Sequence, residues 1–234
     1  MSGTESLALL PGLLCDEALW GAQVKALGAL ADCRVADFTS QDSVAAMAAS
    51  VLESMPARFA LAGLSMGGYV ALEVMRQAPE RVTRLALLDT KARPDTAEQT
   101  ERRHALIALA EKGRFKGVTP RLLPLLIHED RLAEEALPAA VIAMAERIGK
   151  AAFLRQQKAI LGRPDSRPTL VTIRCPTLVL CGRQDQLTPL DCHMELAAGI
   201  ADARLVVVED CGHLAPMERP EAVTDALRAW LAAA

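Results

Sequence analysis

The chain has 234 residues, 51% of them hydrophobic, and is long enough to bury a full core without metals or disulfides. Its net charge of −3 and its few aromatic residues (four Phe, two Trp and one Tyr) argue against a nucleic-acid-binding surface, which needs a basic patch and stacking rings. Lysine and arginine are scattered along the chain, so we expect no membrane partner either.

Two further features bear on location. The cysteines at positions 15, 33, 175, 181, 192 and 211 form no C-x-x-C pair, so we expect reduced thiols. The apolar run at 7–14 lacks the preceding positive charge of a secretion signal, and Pro11 and Gly12 interrupt it. The run is also too short to span a membrane. We therefore expect a cytoplasmic protein.

Short apolar runs alternate with helical stretches along the chain, which is typical of a parallel sheet covered on both faces. Several of these runs are continuous, as expected for strands that are buried on both faces. The predicted strands are 6–10, 33–37, 58–62, 84–88, 177–181 and 204–208, and the predicted helices are 17–29, 43–55, 67–77, 191–198 and 220–232. The sequence thus predicts an α/β fold with a mostly parallel sheet of about six strands flanked by helices.

The alternation breaks between residues 91 and 172. This stretch carries many charges and shows a helical rather than a strand pattern. It predicts a helical lid inserted between two core strands. On this prediction the core comprises residues 1–90 and 173–234, and the lid comprises residues 91–172.

A motif of the form G-x-S-x-G lies at 63–67, between a predicted strand and a predicted helix. A serine on so tight a turn has a strained backbone and an exposed hydroxyl. Gly63 and Gly67 allow the strand and the helix to approach closely. The helix that begins at Met66 points free N–H groups towards Ser65. A plain flexible turn is the alternative, but the flanking strand and helix favour a nucleophilic serine.

A nucleophilic serine needs a base, and the base needs an orienting acid. Of the four histidines, His213 follows the last predicted strand and so lies at the same sheet edge as Ser65. The histidines at 104, 128 and 193 are interpreted as solvated or structural. Asp185 is the preferred acid because it follows a strand that ends in a glycine turn and precedes His213 in the chain. Asp89, at the end of the preceding core strand, is its rival.

A tetrahedral oxyanion needs at least two donors that are fixed in advance. The backbone N–H of Met66, directly after the serine, is one candidate. The second is the N–H of Leu13 in the loop after the first strand, where Gly12 lets the backbone approach the serine. The assignment of Leu13 depends on the serine site being correct.

Taken together, the segments 10–13, 63–68, 182–185 and 212–213 resemble the α/β-hydrolase fold superfamily. The resemblance covers essentially the whole chain and is weakest in the lid. It implies Ser65 as nucleophile, Asp185 as acid and His213 as base, with Leu13 and Met66 as the oxyanion donors. The chain departs from many members at Pro11, where they carry histidine, and it begins close to what would be the third strand of larger members.

Serine at position 65 argues against epoxide hydrolase and haloalkane dehalogenase chemistry, both of which need a carboxylate there. Serine with histidine suits acyl transfer. We therefore expect a hydrolase that cleaves carboxylic esters of small or medium acyl groups through an acyl-enzyme on Ser65. Its pocket should be mostly aliphatic, lined by residues such as Leu13, Leu14 and Met66. The sequence contains no metal cluster, phosphate loop or dinucleotide fingerprint, so we expect no metal and no cofactor.

Other activities use the same catalytic groups. A lactonase of the enol-lactone type and a C–C bond hydrolase are the closest alternatives, and perhydrolase chemistry without a cofactor is a candidate side reaction. A non-catalytic receptor that keeps the fold is the alternative from another class. The expected partner is a small-molecule ester or lactone, while the sequence leaves the precise substrate and the oligomeric state open.

Overall fold

The computed structural model describes residues 4–233. Its centre is a six-stranded sheet whose neighbouring strands all pair in parallel, in the spatial order β2-β1-β3-β4-β5-β6. The strands are β1 Glu5–Leu10, β2 Ala31–Val35, β3 Phe59–Leu64, β4 Val82–Leu88, β5 Thr177–Gly182 and β6 Arg204–Val208. This arrangement confirms the predicted six-stranded α/β fold.

Helices follow the strands along the chain. The α-helices are α1 Gly21–Leu27, α2 Val44–Ser54, α3 Met66–Gln77, α4 Ala97–Leu109, α5 Ala136–Leu161, α6 Arg167–Leu170, α7 Leu190–Gly199, α8 Ala215–Glu218 and α9 Pro220–Ala232. Short 3-10 turns cover Glu17–Trp20, Pro79–Arg81, Leu123–Leu125 and Glu129–Arg131, and a π-turn covers Ala110–Arg114. Within residues 4–233, no helix combines the length and the apolar character needed to cross a membrane.

The sheet is buried on both faces. Alternate side chains of β1 pack into two separate clusters, because successive residues of a strand point to opposite faces. Leu7 and Leu9 join the cluster that contains Trp20 of the first 3-10 turn, whereas Leu10 joins the cluster with α2 and α3. Every residue of β3 is buried. The continuous apolar runs in the sequence reflect this two-sided burial.

The edge strand β2 lies two residues before its predicted position. It pairs with β1 from Glu5 opposite Ala31 to Leu9 opposite Val35. Only one side of this strand has a neighbour in the sheet, and its exposed residues alternate with buried or half-buried ones. The prediction of 33–37 was wrong because β2, with Asp32 and Arg34 in it, lacks the continuous apolar run that marks the central strands.

The segment between β4 and β5 is helical and, within residues 4–233, contains no strand. Thr96 and Gln99 begin α4 with a reciprocal capping box. The long α5 breaks at Gly149, whose φ of 74° interrupts the helical backbone. The end of this segment packs into the main body, since Ile160 and Leu170 belong to the same apolar cluster as α3.

Candidate active site

Ser65 occupies the tight turn between β3 and α3 and has φ 54° and ψ −113°, a backbone conformation that is rare for a residue with a side chain. The glycines beside it are required by close contacts. A Cβ atom on Gly63 would lie 2.3 Å from the Gly67 carbonyl oxygen, and one on Gly67 would lie 2.1 Å from the Leu10 carbonyl oxygen. This geometry exposes the serine hydroxyl above the carboxyl edge of the sheet.

Three side chains from separate loops meet at this edge. The Oγ atom of Ser65 lies 2.9 Å from Nε2 of His213, and Nδ1 of His213 lies 2.8 Å from Oδ2 of Asp185. Both His213 and Asp185 are buried. The structure therefore brings the predicted nucleophile, base and acid into one hydrogen-bonded chain, although the two ends are 120 residues apart in sequence from Ser65 to Asp185.

Asp185 is surrounded by donors besides the histidine. The Thr188 hydroxyl donates to Oδ2 at 2.5 Å, and the N–H groups of Leu187 and Thr188 donate to Oδ1 at 2.8 and 3.0 Å. Burial raises the pKa of Asp185, but His213 and these hydrogen bonds outweigh it and hold the pKa below its ordinary value. Asp185 is thus an ionised partner for the imidazole.

The rival acid, Asp89, has a different environment. Its Oδ1 accepts the N–H of Gly182 at 2.9 Å, and its Oδ2 has no partner within residues 4–233. Burial and the nearby Asp185 carboxylate raise the pKa of Asp89 well above its ordinary value. Asp89 therefore binds the end of β5 through Gly182, and His213 pairs with Asp185 instead.

The predicted oxyanion donors flank Ser65. The Met66 N–H is at the first position of α3, and neither it nor the Leu13 N–H donates to any acceptor in the described part of the chain. Leu14 has a positive φ of 60°, and its N–H donates to Oε1 of Gln156 at 3.0 Å. Gln156, from α5, thereby fixes the strained loop that presents the Leu13 N–H, and sequence reasoning did not identify it.

A cavity of about 400 Å³ opens beside Ser65. Its walls are mostly apolar and come from the loop after β1, the segment between β4 and β5, and the His213 loop. Leu13 and Leu14 line it, as predicted. The prediction that Met66 lines it was wrong: the side chain of Met66 is fully buried in the α2–α3 cluster, because a residue directly after the turn points into the core.

A search against family models matches residues 9–226 to the alpha/beta hydrolase family. The chain belongs to this family. The match includes Ser65, Asp185 and His213 and covers the six strands almost completely.

The relatives of this α/β-hydrolase have names that describe different activities. A thermophilic esterase from Thermogutta terrifontis is 30% identical, with a TM-score of 0.86 over 97% of this chain and 89% of that structure. The enol-lactonase from Burkholderia xenovorans LB400 is 25% identical, with a TM-score of 0.87 over 99% of this chain and 93% of that structure.

A third relative is the 2-hydroxy-6-oxo-6-phenylhexa-2,4-dienoate hydrolase of Comamonas testosteroni, which is 31% identical over 167 residues. This match covers 69% of our chain but only 58% of the relative, so the chain spans less than two thirds of that enzyme. The protein is thus similar to hydrolases whose names describe several kinds of substrate.

Two polar residues that sequence reasoning missed hold the α/β-hydrolase site together. Buried Glu218 of α8 accepts the N–H groups of Gly212 at 3.0 Å, Leu214 at 3.2 Å and His128 at 2.7 Å. It therefore fixes the loop on both sides of His213. Thr90 donates its hydroxyl to the Ser65 carbonyl oxygen at 2.8 Å. Thr90 is 25 residues from Ser65, and Glu218 is 90 residues from His128, so no local pattern identified these contacts.

The remaining histidines lie outside the hydrogen-bonded chain. His104 is exposed on α4, and His128 is buried where its backbone N–H meets Glu218. His193 is fully buried, and its Nε2 accepts the N–H of Thr90 at 3.0 Å.

Three groups that could bind a cation lie close together beside the site. Ligand atoms of His193, Asp89 and Asp185 lie within 4.8 Å of one another. Binding a cation there would compete with the hydrogen bonds that Asp185 and His193 already make.

Proposed function

We propose that the protein is a serine hydrolase that cleaves carboxylic esters of small or medium acyl groups through an acyl-enzyme on Ser65. The observation that carries the proposal is the continuous hydrogen-bonded chain from Ser65 Oγ through His213 to Asp185, with distances of 2.9 and 2.8 Å. This constellation activates a hydroxyl that is otherwise a weak nucleophile.

In this mechanism, Nε2 of His213 removes the proton of Ser65 as Oγ attacks the ester carbonyl carbon. Asp185 stabilises the imidazolium that forms, and the N–H groups of Leu13 and Met66 stabilise the oxyanion. The tetrahedral intermediate collapses as His213 protonates the departing alcohol oxygen. A water molecule, deprotonated by His213, then attacks the acyl-enzyme. As this second intermediate collapses, the bond between Ser65 Oγ and the acyl carbon breaks, His213 returns its proton to Oγ, and the acid leaves.

The cavity supports the proposed size of the acyl group. A volume of about 400 Å³ is in the lower part of the usual range for small-molecule sites, which is roughly 300–1,000 Å³. We propose that residues 91–172 act as the lid, because Phe153 and Val141 of α5 line the same cavity as Ser65. Side chains of this segment would then select the acyl group.

Enol-lactone hydrolysis is the second candidate, and the similarity to the Burkholderia xenovorans enol-lactonase over 99% of this chain favours it. A lactone is an internal ester, so the same attack by Ser65 opens its ring. C–C bond hydrolysis is a third candidate through the likeness to the Comamonas testosteroni hydrolase. A receptor without catalytic activity is the alternative from another class.

A fluorophosphonate probe, which modifies only an activated serine, separates an enzyme from a receptor. We expect labelling of the wild-type protein and none of Ser65→Ala. Ser40→Ala, which changes an exposed serine outside the site, is the matched control and should label like the wild type. A folded wild-type protein that remains unlabelled would refute the proposal. A panel of esters graded by acyl length, together with lactones and a C–C hydrolase substrate, then ranks the three reactions by kcat/KM.

A further inference from the structure

Three basic side chains surround one carboxylate beside the Ser65 cavity. Asp95, in the loop before α4, contacts Arg163 at 2.9 Å, Arg103 at 2.5 Å and Lys91 Nζ at 3.4 Å. We call Lys91, Arg103, Arg163 and Asp95 the basic cluster. Lys91 and Asp95 lie in the loop between β4 and α4, Arg103 lies in α4, and Arg163 follows α5.

The basic cluster holds more positive than negative charge. Three cations and one carboxylate leave a net charge of +2, and the side chains of Lys91, Arg163 and Asp95 are all more than nine-tenths buried. Burial raises the pKa of Asp95, but the hydrogen bonds from Arg163 and Arg103 outweigh it and hold the pKa well below its ordinary value. Asp95 is therefore ionised and can neutralise only one of the three cations. Buried charge without a counter-ion is unfavourable, so an anion would be stabilised here.

The basic cluster borders the cavity. Lys91, Arg103 and Asp95 line the same cavity as Ser65, so the cavity wall carries two cations and one carboxylate. The Nζ atom of Lys91 donates to Oε1 of Gln99 at 2.7 Å, which leaves it further N–H capacity. Burial, followed by repulsion from Arg163, lowers the pKa of Lys91 from its ordinary value. A negatively charged group placed next to Lys91 would raise this pKa and so counteract both effects.

Tyr69 adds a neutral donor on the same wall. Its side chain is only 6% exposed and lines the cavity, and its hydroxyl has no hydrogen-bond partner in residues 4–233. The Arg163 guanidinium stacks over its ring at 4.2 Å and so fixes the ring orientation. Burial raises the pKa of Tyr69, which keeps the hydroxyl protonated and able to donate. Because Tyr69 lines the cavity, its hydroxyl is available to donate to an acceptor group of a ligand.

We propose that Lys91, Arg103 and Tyr69 form a carboxylate subsite in the Ser65 cavity, so that the preferred substrate carries a free carboxylate on its acyl part. Lys91 and Arg103 supply charged donors and Tyr69 supplies a neutral one. Placing the carboxylate on the acyl part is the form of the proposal that monoesters of dicarboxylic acids test directly. The assignment of a substrate rests on the proposed function, but the binding of a carboxylate does not.

The direct test compares two esters of equal length. The p-nitrophenyl monoester of glutarate and the p-nitrophenyl ester of pentanoate differ only in a terminal carboxylate or methyl group. We expect the wild-type kcat/KM to favour the glutarate monoester by about 10- to 100-fold, the range given by a charge-assisted hydrogen bond. Monoesters of succinate and adipate locate the best distance between carbonyl carbon and carboxylate. A preference for pentanoate over all three monoesters would overturn the proposal.

Variants identify the residues responsible. Lys91→Met should reduce the ratio of the two kcat/KM values by about tenfold or more, and Lys91→Arg should restore most of it. Tyr69→Phe should lower the ratio in the same direction and is the least disruptive change, since it removes one oxygen atom. Lys25→Met, which changes an exposed lysine of α1, is the control and should keep the wild-type ratio. Unchanged ratios in folded Lys91→Met and Tyr69→Phe would also overturn the proposal.

Glutarate itself makes the test independent of turnover. We expect isothermal titration calorimetry to detect glutarate binding to Ser65→Ala and at least tenfold weaker binding when Lys91→Met is added. If glutarate binds in this way but no ester is hydrolysed, the subsite stands and the proposed function fails. If esters are hydrolysed through Ser65 but glutarate does not bind, the proposed function stands and the subsite is refuted.

Discussion

Acidification is expected to destabilise the protein through His193. This histidine of α7 is fully buried, and backbone groups occupy both ring nitrogens. Nε2 accepts the N–H of Thr90 at 3.0 Å, so Nδ1 carries the single ring proton and donates to the Pro189 carbonyl oxygen at 3.3 Å. A proton added to Nε2 would face the Thr90 N–H and break this hydrogen bond. The folded protein therefore resists protonation, while the unfolded chain does not.

The magnitude follows from the pKa of His193. Burial is the main cause that lowers it from 6.5 to about 4. Below pH 6.5 the unfolded state binds a proton that the folded state does not, so the free energy of unfolding falls as the pH falls. The fall ends near pH 4, where the folded state also protonates. At about 1.4 kcal/mol per pKa unit, the total loss is about 3 kcal/mol, a large share of the roughly 5–15 kcal/mol of a typical domain.

Urea unfolding of the wild type and of His193→Gln between pH 7.5 and pH 4 measures this loss. The variant is expected to be less stable at pH 7.5, and the difference in the free energy of unfolding should shrink by about 3 kcal/mol towards pH 4. His104→Gln, which changes an exposed histidine, should keep a constant difference from the wild type. If the difference in the free energy of unfolding between the wild type and His193→Gln is also constant with pH, the reasoning is refuted.

Four other substitutions probe the site. Asp185→Asn should lower kcat for an ester by about 10³- to 10⁴-fold through the wrong histidine tautomer. Asp89→Asn should lower kcat far less, because His213 pairs with Asp185 and not with Asp89. Glu218→Gln should lower the free energy of unfolding by about 1–3 kcal/mol, measured in urea, because an amide replaces acceptor oxygens of a buried carboxylate. Gly182→Ala should destabilise the protein by at least about 1–3 kcal/mol, since its Cβ would lie 2.0 Å from the Gly212 carbonyl oxygen.

For each of these substitutions, one outcome would contradict the prediction. An equal loss of kcat in Asp89→Asn would mean that both carboxylates act on His213. Unfolding of Glu218→Gln at the wild-type urea concentration would show that the hydrogen bonds to Glu218 contribute nothing net. For Gly182→Ala, Gly21→Ala is the control, because a Cβ on Gly21 meets no atom within 4 Å. Equal stability of the two alanine variants would contradict the predicted clash.

Local patterns predicted the central strands and the motif around Ser65 because both depend on residues close together in the chain. A strand buried on both faces needs a continuous apolar run, which marks β3 and β4 directly. A serine on a strand-to-helix turn needs small residues on either side, which Gly63 and Gly67 provide. The edge strand β2 has no such constraint, and its predicted position was wrong by two residues.

Contacts between distant residues determined the features of the site that local patterns did not predict. Asp185 and Asp89 both follow sheet strands. The sequence favoured Asp185 without excluding Asp89, and the folded structure places Asp185 2.8 Å from His213. Gln156, which fixes the loop that carries Leu13, is 142 residues from Leu14, to which it bonds. The sequence by itself thus determined the fold class and the candidate serine, histidine and acids. Only tertiary packing decided which acid meets the histidine and which cations face the cavity, because hydrogen bonds and burial depend on residues that come together only in the folded chain.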